Sequence, residues 1–270
     1  MELIATGLSG TIGRKLDKDI KSAKVILGSG KLRDNFESRN NSLSLIHLGG
    51  IVGELQVSQD LSHSKKINVD ETFNLAREVI EDFRGRFIYI SSSHIYGPHS
   101  LPLKEANPYN PQSNYADQKV LTEQILLNHF GEVHPQLVIL RVFSVLGWDV
   151  ADFTLGGAVK RILAGSKESI SNTDDVRDFM TPSTIAGAIS TIAKTSKISG
   201  TFNLCSGVGI TVKDAVRSMF AVVNFNESYN QIKSGNSKSP YIVGDNTKLM
   251  STGLDLNLSW DPRNDFEVIK

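Results

Sequence analysis

The sequence predicts an α/β fold, a doubly wound parallel sheet with a small C-terminal lobe. Three observations lead there. Apolar strand-like runs alternate with helical segments five times through the first 150 residues, the pattern of parallel strands joined by helical crossovers. The first run, ELIAT at residues 2–6, opens directly into Gly7-Leu-Ser-Gly10-Thr-Ile-Gly13. A later run, Phe87 to Ile90, delivers three serines to a strand end, and 23 residues after Ser92 come Tyr115 and Lys119, one helical turn apart.

At 270 residues, 40% of them hydrophobic, the chain can bury a large core. Its 29 basic and 29 acidic residues cancel, so no overall field draws it to nucleic acid or to an anionic membrane. No apolar stretch approaches the ~18 residues that span a bilayer, and no basic segment precedes the first apolar run, so the cytoplasm is the expected location. The single cysteine, Cys205, lies in the apolar run TFNLC and reads as a small core residue.

Three glycines at GxxGxxG spacing allow a tight turn, close approach to a pyrophosphate and packing of the following helix on the strand. This predicts a Rossmann-like dinucleotide site followed by a polar helix. A second strand, Lys24-Val-Ile-Leu27, ends in Gly28-Ser-Gly-Lys31-Leu-Arg33, without the acidic residue that accepts hydrogen bonds from the ribose of NAD. Ser29, Lys31 and Arg33 could hold a 2′-phosphate or form a plain solvated basic loop; NADP is therefore the preferred cofactor and NAD the alternative. Ser42 to Leu48 make a third strand with the glycine-rich exit HLGGIVG. Glu54 to Lys66 reads as a polar surface loop, and helical periodicity runs from Ile67 to Phe83 with Val69, Phe73, Ala76 and Ile80 on one face. Asn68 opens that helix, where an N-cap explains it.

After the serine cluster and a Pro/Asn-rich loop comes a helix from Ala116 to Phe130, ended by Gly131, and then a fifth strand, Leu137 to Phe143. Beyond Trp148 the alternation loosens. Phe153 to Ala164 reads as a helix, another starts near Pro182, TFNLC returns to the sheet, and Thr211 opens a further helix. Residues 1–150 are thus the expected dinucleotide-binding domain, completed by about 181–205, with 151–180 and 206–270 forming the lobe.

The Tyr115–Lys119 spacing has a chemical meaning. A phenol has an ordinary pKa of about 10, and an ammonium beside it favours the phenolate and brings it into range for proton transfer. A serine hydroxyl facing the pair could hold a carbonyl or alcohol oxygen, an arrangement suited to hydride transfer at carbon. Taken alone, the spacing reads more simply as an amphipathic tyrosine beside a solvated charge.

With TGLSGTIG, HLGGIVG, NVDETFNL, SSSHIYG, YADQK, LRVFSVLG, RDFMTP, GTFNLCSG and VGDNTKL in order, the chain resembles the extended short-chain dehydrogenase/reductases over nearly its whole length. Within them it is most similar to the nucleotide-sugar epimerase/dehydratase/reductase family. The resemblance implies that Tyr115 gives or takes a proton, that Lys119 binds the nicotinamide ribose and lowers the Tyr115 pKa, and that Ser92, four residues before Tyr96, is the catalytic hydroxyl. It places Gly7, Gly10, Thr11, Ile12 and Gly13 at the pyrophosphate, Leu48, Gly49 and Gly50 on the adenosine side, Asn68 and Ser91 in support of the cofactor, and Phe143 by the nicotinamide. Ser92, Ser93, His94, Ser144 and Arg177 would face a sugar nucleotide, with Arg177 either on phosphate or ion-paired to Asp174 or Asp178.

Departures narrow the reaction. Ser93-His94 stand where the 4,6-dehydratases carry Asp-Glu, so dehydration is disfavoured. Ser144 stands in place of a frequent asparagine, and His94 stands where the related GDP-fucose synthase carries a catalytic cysteine. His94 would either donate a proton or orient the sugar, or merely line the cleft. The expectation is an NADPH-dependent reductase of a nucleotide-linked 4-keto-6-deoxy sugar, needing no metal and forming a homodimer. The alternatives are an NAD-dependent nucleotide-sugar 4-epimerase and, from another class, a cofactor-binding regulator without chemistry.

Overall fold

The computed structural model describes residues 2–26, 29–32, 43–195, 198–225, 232 and 240–266. The first half runs β1 (Glu2–Thr6), β2 (Lys21–Ser22), β3 (Val25–Ile26), β4 (Lys31–Leu32), β5 (Leu43–His47), α1 (Glu54–Gln59), α2 (Leu61–Lys65), α3 (Thr72–Arg77), β6 (Arg86–Ser92), α4 (Asn114–Phe130) and β7 (Leu137–Val142). It continues through β8 (Ser144–Val145), α5 (Leu155–Leu163), β9 (Val176–Met180), α6 (Pro182–Lys194), β10 (Gly200–Leu204), β11 (Gly209–Thr211), α7 (Val212–Val222), β12 (Tyr241–Ile242) and α8 (Thr247–Met250). Six strands pair in parallel in the order β10-β7-β6-β5-β1-β2. The lobe has its own small sheet, in which β9 pairs with β8, β11 and β12.

Alternate residues of the parallel strands feed two apolar layers. Leu3, Ala5, Ile46, Ile88 and Leu140 meet Ile185, Ile189 and Ile192 of α6, while Ile4, Leu45, Phe87 and Ile139 meet Leu75, Val79 and Leu126 on the opposite face. The four longest of the described helices start on a side-chain cap: Ser113 for α4, Thr154 for α5, Thr181 with Pro182 for α6 and Thr211 for α7. At the other end of α6, the buried Arg86 guanidinium donates to the carbonyls of Ile192, Ala193, Thr195 and Ile198, satisfying acceptors that a helix C-terminus leaves open.

Several local expectations are corrected. The sheet takes Lys21–Ser22 as its second strand, whereas Val25–Ile26 form an antiparallel ribbon with Lys31–Leu32; Leu27 lies outside the described residues. The helix expected after the glycine turn is one 3-10 turn, Gly13–Lys15, because only residues 14–20 remain before β2, too few for a full helical crossover. The segment expected to be a loop, Glu54 to Lys66, is helical: Val57 and Ser64 turn inward, and Asp60 accepts from the His63 N–H at 2.9 Å to start α2. Its polar composition marks a solvated helical face. Asn68 consequently lies inside the helical run, in a π-helical stretch at Lys66–Glu71, and is not an N-cap.

Beneath the sheet's carboxyl end lies a buried ion pair. Arg141 of β7 meets Glu123 of α4 at 2.7 Å, with the two side chains 4% and 0% exposed. Glu123 also accepts from Ser91 and from Tyr109, and Arg141 donates to Tyr96 and to the Glu105 carbonyl. Removing one partner of such a pair leaves an uncompensated buried charge, so Glu123→Ala is expected to cost about 3–5 kcal/mol. The check is the urea midpoint at unchanged m-value; a loss below about 1 kcal/mol would mean that Arg141 finds another acceptor.

Candidate active site

The chain leaves β1 toward β2 on one side and returns to β5 on the other, so β1 marks the point where the strand order reverses. Ligands of open α/β sheets bind outside the carboxyl ends at such a point. Here two glycine-bearing turns meet. Gly7 has φ +74°, and a Cβ on it would lie 2.8 Å from the Gly49 nitrogen, so the turn after β1 touches the turn after β5 backbone to backbone. A Cβ on Gly13 would lie 2.2 Å from the Gly7 carbonyl oxygen. Gly10 N–H closes the turn onto Gly7 O at 3.0 Å, while among the described residues no backbone carbonyl takes the N–H of Thr11, Ile12 or Gly13. A turn that keeps such donors free suits an anion, and these residues fit a dinucleotide pyrophosphate without a long helix behind them.

Asn68 secures the second turn. Its Oδ1 accepts from Ile51 N–H at 2.8 Å, and its Nδ2 donates to Ile51 O at 2.9 Å and to Gln118 Oε1 at 2.8 Å. Asn68 thus clamps the turn at Ile51 and ties it through Gln118 to α4. Of the residues expected at a 2′-phosphate, Ser29 Oγ accepts from Lys31 N–H within the ribbon, Leu32 N–H donates to Glu78, and Lys31 lies in the field of that carboxylate; Arg33 lies outside the described residues.

A cleft of about 820 Å³ runs from Ile12 and Leu48 past Ser92, His94, Tyr115 and Lys119 to Phe143, Ser144 and Arg177. The end of β6 supplies Ser92, and α4 supplies Tyr115 and Lys119 on one face. The Ser92 hydroxyl lies beside the Tyr115 phenol. Lys119 Nζ donates to Ile90 O at 2.8 Å and lies 5.9 Å from the Tyr115 ring centre. Burial dominates both groups: it pushes the Tyr115 phenol up to about 12 against the opposing pull of the Ser92 hydroxyl, and the Lys119 ammonium down to about 8 against the Glu123 carboxylate. The expected lowering of the tyrosine pKa is therefore absent here. At neutral pH Tyr115 is a protonated donor.

His94 faces Tyr115 edge-on at 6.1 Å between ring centres, open to solvent yet walled by the cleft; burial, then the Arg177 charge, lowers its imidazole pKa. Arg177 pairs with Asp175 at 2.9 Å, not with Asp174 or Asp178. Asp178 instead accepts backbone N–H bonds from Ser206, Gly207 and Gly244, which lock β9 to the neighbouring turns. The hydroxyl of Ser91 is spent on Glu123 beneath the cleft, and Ser93 and Phe143 are buried in its wall. Two contributors escaped sequence reasoning. Glu54 caps α4 by accepting Tyr115 N–H at 3.0 Å and Asn114 Nδ2 at 3.0 Å, a role hidden by its supposed loop. Glu123 carried a usable signal, since it continues the four-residue spacing of Tyr115 and Lys119.

The profile of the NAD dependent epimerase/dehydratase family matches residues 24–205, beginning after the shortened glycine segment. The GDP-6-deoxy-D-mannose reductase of Pseudomonas aeruginosa is 24% identical over 237 residues, 79% of this chain and 77% of that one. The UDP-glucose 4-epimerase of Azospirillum brasilense is 30% identical over 131 residues, 47% of this chain and 37% of its own. Among solved structures, RMD from Pseudomonas aeruginosa complexed with NADPH superposes with TM-score 0.75 at 20% identity, covering 96% of this chain and 95% of that one. A UDP-N-acetylglucosamine 4-epimerase from Methanobrevibacter ruminantium gives 0.76 at 18% identity, covering 96% and 93%.

The Lys119 shift sets a pH dependence. Its folded-state pKa lies below its ordinary value of 10.5, so the ammonium persists below about pH 8 and is lost above it. The stability it contributes is complete above pH 10.5 and is lost as pH falls through 8. Lys119→Met is therefore expected to raise Tm at pH 7 while lowering turnover at least about 100-fold; unchanged turnover would remove Lys119 from the chemistry.

Proposed function

The chain belongs to the NAD dependent epimerase/dehydratase family, and on that premise we propose that it is an NADPH-dependent reductase of a nucleotide-linked 4-keto-6-deoxy sugar. The observation that carries the reading is the grouping of Ser92, Tyr115 and Lys119 along one cleft, a phenol that can give a proton beside a hydroxyl that can hold an oxygen. Reduction needs a proton donor at the start, whereas epimerisation begins by withdrawing a proton from an alcohol.

When bound, the reduced nicotinamide supplies hydride to C4. Tyr115 gives its proton to the carbonyl oxygen, which Ser92 Oγ holds in place. Lys119 stabilises the resulting phenolate and holds the nicotinamide ribose, and its bond to Ile90 O fixes its reach. Arg177, in the cleft wall contributed by the lobe, meets the diphosphate, and residues 151–180 and 206–270 select the sugar nucleotide. The relative that is a GDP-6-deoxy-D-mannose reductase and the NADPH-complexed structure support this reading.

The 4-epimerase remains the second reading, favoured by the Azospirillum relative. It would be recognised by NAD retained on purification and by sugar interconversion without added cofactor. Pairing of two copies through the helices flanking β6 belongs to the proposal, as does action in the cytoplasm. Among the described residues no helix is long and apolar enough to cross a membrane.

Fluorescence titration of cofactor-stripped protein is expected to show tighter binding of NADPH than of NADH, with NADPH consumed when nucleotide-linked 4-keto sugars are added. Preference for NADH without net redox turnover would move the assignment to the epimerase. In the same assay Tyr115→Phe should lose about 10²- to 10⁴-fold in kcat with its NADPH affinity intact.

A further inference from the structure

His47 ends β5 fully inside the protein, between two threonines from distant parts of the chain. Its Nδ1 lies 2.8 Å from Thr6 Oγ1 and its Nε2 lies 3.0 Å from Thr72 Oγ1. The remaining bonds fix which nitrogen carries the proton. Gly49 N–H donates to Thr6 Oγ1 at 3.0 Å, and the Thr72 hydroxyl donates to Ile67 O at 3.3 Å. Thr72 Oγ1 must then accept from Nε2–H, and the Thr6 hydroxyl proton goes to the bare Nδ1. Only this tautomer gives the polar side-chain atoms of Thr6, His47 and Thr72 a partner each. The opposite one would leave the Thr6 proton without an acceptor and compete with the Thr72–Ile67 bond. Burial, helped by the Lys119 charge, holds the His47 pKa near about 3, so the imidazole stays neutral.

The relay joins the last residue of β1, the last of β5 and the start of α3. Its near end takes the Gly49 N–H, where the turn after β5 presses on Gly7. We propose that His47, as the neutral Nε2–H tautomer held between Thr6 and Thr72, is a positioning residue that sets the distance between the two glycine turns for a dinucleotide. The assignment rests on the reading of this crevice as a dinucleotide site.

The far end gives the cleanest probe, because Thr72→Val keeps the shape, lies away from the cleft and removes the acceptor of Nε2–H. Dinucleotide affinity is expected to fall about five- to tenfold, the worth of one buried hydrogen bond, with kcat at saturating cofactor within about twofold; Thr72→Ser should restore affinity. Long-range ¹H–¹⁵N spectra of the wild-type protein should show a single Nε2–H tautomer of His47 from pH 5 to 8. A Thr72→Val protein that melts earlier but binds NADPH as tightly as wild type would reduce the relay to a packing feature. A ring that exchanges tautomers or titrates in that range would overturn it directly. Wild-type protein that binds neither NADPH nor NADH would sink the cofactor reading itself and the relay's positioning role with it.

Discussion

The buried pair of Arg141 and Glu123 is the constraint on which the site's geometry depends. A carboxylate and a guanidinium removed from water hold together only if each remaining donor and acceptor finds a partner. Here those partners come from β6 through Ser91, from the loop after it through Tyr96, Glu105 and Tyr109, from α4 and from β7. Satisfying one pair therefore fixes the strand that presents Ser92 and the helix that presents Tyr115 and Lys119. The register of the active side chains follows from electrostatic accounting below them.

A second layer of wiring acts on the backbone. The turns after β1 and β5 touch without side chains between them, and their separation is held by hydrogen bonds from Thr6, His47 and Asn68. Asn68 continues through Gln118 into α4, so the surface expected to hold a dinucleotide and the helix bearing Tyr115 and Lys119 share one polar network. Such a network rigidifies a site at little cost when complete.

Much of this was legible beforehand, for identifiable reasons. The strands were readable because buried parallel strands are continuous apolar runs, and the glycine turn because backbone contact tolerates no Cβ. The helix over Glu54–Lys65 was not, since its few inward residues give no sustained period and its solvated face looks like a loop. The ribbon of Val25–Ile26 with Lys31–Leu32 was mistaken for a sheet strand because apolar residues of that length suit either partner, and only the closure of β2 on β1 decides which is chosen.

By itself the sequence determined the kind of fold, the two glycine turns and Ser92, Tyr115 and Lys119 as candidates that the structure gathers in one cleft, because these depend on local periodicity, on steric freedom and on side-chain chemistry at fixed spacing. Tertiary structure alone decided the direction in which the pKa values of Tyr115 and Lys119 move, the partner of Arg177, and the pairing of Val25–Ile26 with Lys31–Leu32. Those properties arise from burial and from fields set by residues remote in the chain, and a local pattern carries no record of how much water is left around a group.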